Sequence, residues 1–64
     1  MSTDDLARLR AFLNRPGVTK RLVTEAAKVG RNALQGVEDD GWECSDRAAS
    51  LLIRAVDRLE AALA

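Results

Sequence analysis

Apolar side chains recur at helical spacing in four stretches of this chain, with short polar breaks between them. Leu6, Leu9, Phe12 and Leu13 follow an i, i+3, i+4 rule and predict a helix over 4–14. Ser2 or Thr3 can cap it, and Asp4 and Asp5 sit in its first turn, where the helix dipole favours negative charge. Asn14-Arg15-Pro16-Gly17 ends it, because proline disfavours helix at the residue before it. A second helix is predicted over 19–28, with Thr19 as cap and Leu22, Val23, Ala26 and Ala27 turned inward. After Gly30 a short third helix is expected over 31–38, with Ala33, Leu34 and Val37 as its apolar positions. Gly36 sits badly there, since glycine costs ~1 kcal/mol relative to alanine inside a helix.

Asp39-Asp40-Gly41-Trp42 reads as a loop, with Trp42 plugging the edge of the core. Ser45 and Asp46 open the last helix, predicted over 46–63. Ala48, Leu51, Leu52, Ala55, Val56, Leu59, Ala62 and Leu63 make its apolar stripe, and Ala49 and Ile53 fall on a flank beside Val56. The pattern predicts one all-α domain over 1–64. It is a small four-helix fold, or five-helix if the tail divides, with a long C-terminal helix.

Composition makes that domain marginal. Of the 64 residues 47% are apolar, but eleven are alanine and only seventeen are large Leu, Val, Ile, Phe or Trp. A chain of this size buries only roughly 60% of its unfolded surface. One cysteine and no histidine leave no internal disulfide and no zinc ligand set. A partner subunit is the remaining way to add buried surface. The absence of histidine also removes the imidazole-based nucleophile pairs, so neither an enzyme nor a cofactor is expected. No apolar run is long enough for a membrane span, and MSTDDLARLR lacks the basic start of a signal peptide. A reduced, cytoplasmic protein is expected.

Charge changes the picture through its distribution. The ten basic and ten acidic residues cancel, yet residues 15–37 hold five bases (Arg15, Lys20, Arg21, Lys28, Arg31) and one acid, Glu25. The next nine residues, 38–46, hold five acids and no base. A basic surface beside an acidic one is hidden by a net charge of zero. Two short helices joined around Val29-Gly30 have the spacing of a helix-turn-helix, whose second helix meets base edges in the major groove. Arg31, Asn32, Gln35 and Gly36 are the exposed positions there. Arginine suits guanine O6/N7, asparagine and glutamine suit adenine N6/N7, and Gly36 would let the backbone approach DNA or a neighbouring helix.

The run EAAKVGRNALQGVEDDGWECSDRAASLLIRAVDRLEAAL resembles the helix-turn-helix of the lambda repressor/Cro class of bacterial and phage regulators. Members often carry A-G-V-S-R-x-T-L-x-x-I-E, then a short loop, a Ser/Thr-capped helix and a K/R-x-L-x-x-A-L tail. Ala27, Val29, Arg31, Leu34, Val37 and Glu38 match in order and spacing, and the likeness spans about residues 19–63. Lys28 stands in place of the usual turn glycine, Gly30 in place of the usual Ser/Thr cap, and Thr24 in place of a small alanine. The resemblance implies a DNA-binding transcriptional regulator. Arg31, Asn32 and Gln35 would read bases, and Thr19, Lys20, Arg21, Lys28 and Arg47 would hold phosphates.

A homodimer is expected to join through the flank of the last helix at Ala49, Ile53 and Val56, placing two recognition helices on successive major grooves of double-stranded DNA. The alternative, from a different class, is a helix-turn-helix-like module that binds another protein, such as an antitoxin, phage inhibitor or adaptor. The acidic run Glu38 to Asp46 favours it, since it would repel phosphate if it faced DNA.

Overall fold

The computed structural model describes residues 1–63. It is all-helical, with three helices among those residues: α1 (Thr3–Leu13), α2 (Lys20–Ala27) and α3 (Asp46–Leu63). Each starts where a hydroxyl can serve a first-turn amide. The Asp5 N–H donates to Ser2 Oγ at 3.1 Å, Leu22 N–H to Thr19 Oγ1 at 3.1 Å, and Ala48 N–H to Ser45 Oγ at 3.1 Å. Leu9 and Phe12 of α1, Val23 and Ala27 of α2, and Leu52, Ala55 and Val56 of α3 close one core with Val18, Leu34 and Val37. Trp42 packs half-buried against its edge.

The helix expected over 31–38 is absent. That segment is a series of turns, with i→i+3 bonds from Ala33 to Gly30, Gln35 to Asn32, Val37 to Leu34 and Asp39 to Gly36 at 2.9–3.1 Å. Gly36 adopts φ +77, a left-handed conformation that stops a right-handed helix and that glycine adopts without a Cβ penalty. Arg10 of α1 then captures the segment: its Nε donates to the Val37 carbonyl at 2.8 Å and its Nη2 to the Asp39 carbonyl at 3.0 Å. An eight-residue helix gains little from propagation, so these tertiary bonds prevail. Among the described residues the fold therefore has three helices, not the four or five expected.

α2 ends in a left-handed residue that is not glycine. Lys28 has φ 58, its N–H donates to the Glu25 carbonyl at 3.2 Å, and the Val29 N–H donates to the Thr24 carbonyl at 3.1 Å. This pair of bonds is a Schellman cap, whose left-handed position is normally glycine. The departure at Lys28 is thus a strained residue in an otherwise regular cap. Lys28→Gly is expected to raise unfolding free energy by ~0.5–1 kcal/mol, the relief of left-handed strain less the added freedom of the unfolded chain. Urea denaturation checks it, and an unchanged or lower midpoint would contradict it. Thr24 fits without loss, because it is 1% exposed and its hydroxyl donates to the Arg21 carbonyl at 3.1 Å.

The flank of α3 expected to form a dimer seam belongs largely to the monomer's own core. Ala49 is 8% exposed and Val56 is fully buried. Only Ile53 is half-open, in a shallow groove beside Met1, Ser2 and Asp5. The turn-built segment supplies Leu34 and Val37 to the same core as Leu52, Ala55 and Val56 of α3. The stripe also stops early, since Ala62 and Leu63 are exposed. Further along the same side of α3 as Ile53, Arg8 of α1 pairs with both Asp57 and Glu60 and ties α1 to α3; Glu60 first and Asp57 second hold its guanidinium even more firmly protonated. Among the described residues no helix is long and apolar enough to cross a membrane.

Candidate nucleic-acid interface

Arg31, Asn32 and Gln35 all stand exposed on the turn-built segment. Two of them meet α2: Arg31 and Asn32 line a groove of about 480 Å³ with Arg21, Thr24, Glu25 and Val29. The buried Thr24 side chain and the Schellman cap set the angle at which the chain leaves α2, and so bring Arg31 back toward Arg21. Arg21 is held within its own helix, Nε donating to Glu25 Oε1 at 2.9 Å, which raises its pKa further. Arg31 has no ion-pair partner among the described residues. It is the free cation of this groove, with the Asn32 amide beside it as a donor and acceptor.

The remaining candidates are dispersed. Gln35 lies outside the groove, its N–H donating to the Asn32 carbonyl. Gly36 is half-buried, and its role is the bend itself: a Cβ there would come within 3.5 Å of Asp39 Oδ2 and be strained by φ +77. It is not placed to read a base, which corrects the expectation of a close helix–DNA approach at that residue. The Thr19 hydroxyl accepts from Leu22 N–H as the cap of α2, leaving its own proton to donate. Lys20 is bonded through Nζ to Glu38 Oε1 at 2.8 Å, beside Arg10 and Asn14. Lys28 and Arg47 line a different groove, between the end of α2 and α3.

Sequence reading missed Arg10, whose two bonds to Val37 and Asp39 carbonyls shape the whole segment. Its signal was its position, next to Leu9 and one turn before Leu13, at the rim of the apolar face of α1. The Lys20–Glu38 pair was equally hidden, since the two residues are eighteen apart and only the fold joins them. Asp39, Asp40, Glu43 and Asp46 are exposed beyond Glu38 and make that side of the segment repulsive to phosphate. The groove of Arg21, Arg31 and Asn32 has one carboxylate in its lining, Glu25, and that one is paired with Arg21.

The Glu38 carboxyl is held below the ordinary carboxylate range, chiefly by its bond from Lys20 and then by its own backbone N–H. A depressed folded pKa means the pair's contribution is complete above the ordinary carboxylate pKa and is lost as pH falls through the folded value. At neutral pH Lys20 therefore faces a charged carboxylate that competes with phosphate for it. Glu38→Gln should free it, steepening the salt dependence of DNA binding by ~0.9 in log–log slope and tightening binding at low salt. Titration of a labelled duplex over a salt series checks this, and an unchanged slope would place Lys20 away from phosphate. Comparison with protein-family models, curated proteins and solved structures found no significant match to this chain.

Proposed function

We propose that this chain is a sequence-specific DNA-binding regulator of bacterial or phage type, reading double-stranded DNA from the turn-built segment rather than from a recognition helix. The observation that supports it is the convergence of Arg31 and Asn32 with Arg21 on one open groove, where Arg31 has no acidic partner among the described residues. Arg31 and Asn32 are suited to guanine and adenine edges, with Gln35 at the periphery. Arg21, the Thr19 hydroxyl and the first-turn amides of α2 are suited to phosphate. Lys20 joins them only when Glu38 releases it.

Two copies on a palindromic site, reading grooves ~34 Å apart, belong to this reading. With Ala49 and Val56 in the core, the spacing of half-sites holds the copies in register more than a dry protein seam does. The second reading, a module that binds another protein, is favoured by one observation: the segment over 31–38 lacks the helix that enters a major groove in helix-turn-helix proteins. Selection of duplexes from a randomised pool separates the two. Enrichment of a defined sequence supports the regulator, and no enrichment at any salt supports the protein-binding module.

A further inference from the structure

We propose that the groove between the C-terminal end of α2 and α3 is a second docking site, for an acidic and partly apolar segment of a partner protein. The groove holds about 650 Å³ and is floored by Ala26, Ala27 and Leu51. Lys28, Arg47, Arg54 and Arg58 rim it, against a single acid, Asp57, which is already paired with Arg8. Among the described residues none of those four cations has a carboxylate partner. Arg58 donates through Nη2 to the Ala26 carbonyl at 2.6 Å, which fixes its guanidinium at the rim and leaves its other N–H groups available.

The three arginines follow one stripe on α3. Positions 47, 54 and 58 are separated by seven and four residues, so their directions fall within an arc of about 40° and they span roughly 16 Å of the helix. An extended segment of about five residues covers that length. Arginine forks grip carboxylates in pairs, so acidic side chains of such a segment would meet the arginines while its apolar side chains cover Leu51 and the two alanines. The groove also opens on another side of α2 from the DNA-reading groove, since Ala26 lies about 100° around the helix from Glu25. A straight duplex seated at Arg21 and Arg31 would leave the α2–α3 groove open.

This inference goes beyond the DNA-binding reading and is tested apart from it. The probe is a short fluorescein-labelled peptide alternating Glu and Leu, titrated by anisotropy at low and moderate salt. Wild type should bind it with an affinity that falls as salt rises. Arg47→Glu combined with Arg54→Glu should weaken binding at least roughly tenfold, and the Lys versions of both positions should retain most of it. Both side chains are exposed, so helical circular dichroism should be unchanged; Arg47→Ala serves as a milder variant with a smaller loss. Arg54→Ala, at a position outside the DNA-reading groove, should keep wild-type affinity for a selected duplex at moderate salt, where long-range repulsion is screened. The proposal is overturned if wild type fails to bind the peptide, or if the variants bind it as well as wild type does. A loss of duplex affinity in Arg54→Ala also overturns it, by making the groove a phosphate track. So does a salt-sensitive self-association of wild type that the double variant abolishes, which would assign the groove to the acidic 38–46 segment of a second copy.

Discussion

Leu34→Ala is expected to cost about 2–5 kcal/mol of unfolding free energy. Leu34 is fully buried and belongs to a segment that has no helical bond ladder of its own. Its side chain, with Val37 and the two bonds from Arg10, is what docks residues 30–42 against the helices. Removing it loses the transfer energy of the missing carbons and leaves a cavity beneath a segment too irregular to collapse as a unit. Domains retain ~5–15 kcal/mol in all, and one of this size lies at the low end. Urea denaturation should therefore show a large drop in midpoint, while Leu34→Met, which keeps the volume, should cost less than ~1.5 kcal/mol. A loss below ~1 kcal/mol for the alanine variant would mean that Leu34 does not dock the segment.

Arg31→Ala carries the largest expected effect on function, a loss of ~1–3 kcal/mol of specific DNA binding with relaxed preference at one base position. Arg31 contributes a guanidinium not occupied by any acid among the described residues, so its truncation removes a contact without releasing a competing partner. Gln35→Ala should fall toward the lower end of that range, because Gln35 does not line the groove. Folding should be untouched in both, since the two side chains are exposed. Selection from a randomised duplex pool, repeated with each variant, reads the change. Identical enriched sequences for wild type and both variants would remove base reading from this segment.

The three helices were legible because local signals agreed. Ser2, Thr19 and Ser45 each combine a capping hydroxyl with a periodic apolar run, and expected and observed bounds differ by at most a residue or so. The segment over 31–38 was misread because Leu34 and Val37 are three apart, a spacing that an α-helix and a run of i→i+3 turns satisfy equally. Gly36 was the local sign of a break, but the decisive bonds come from Arg10, distant in sequence. The apolar flank of α3 was surplus only by count: Val56 joins the core, and Ala49 lies buried near Met1, Ser2 and Asp5 at the start of α1, a meeting of chain ends that helical spacing does not reveal. At the candidate site, the exposure of Arg31, Asn32 and Gln35 could be read from polarity alone. Which cations stay free could not, because the pairing of Lys20 with Glu38 and of Arg8 with Asp57 and Glu60 depends on which elements meet.

Backbone amide shifts followed while a selected duplex is titrated into isotope-labelled protein test the central claim most directly. The account places the perturbed residues at 19–21 and 30–35, on the first turn of α2 and the segment carrying Arg31, with residues 47, 54 and 58 of α3 little affected. Perturbations confined to those α3 positions, or none at saturating duplex, would contradict it.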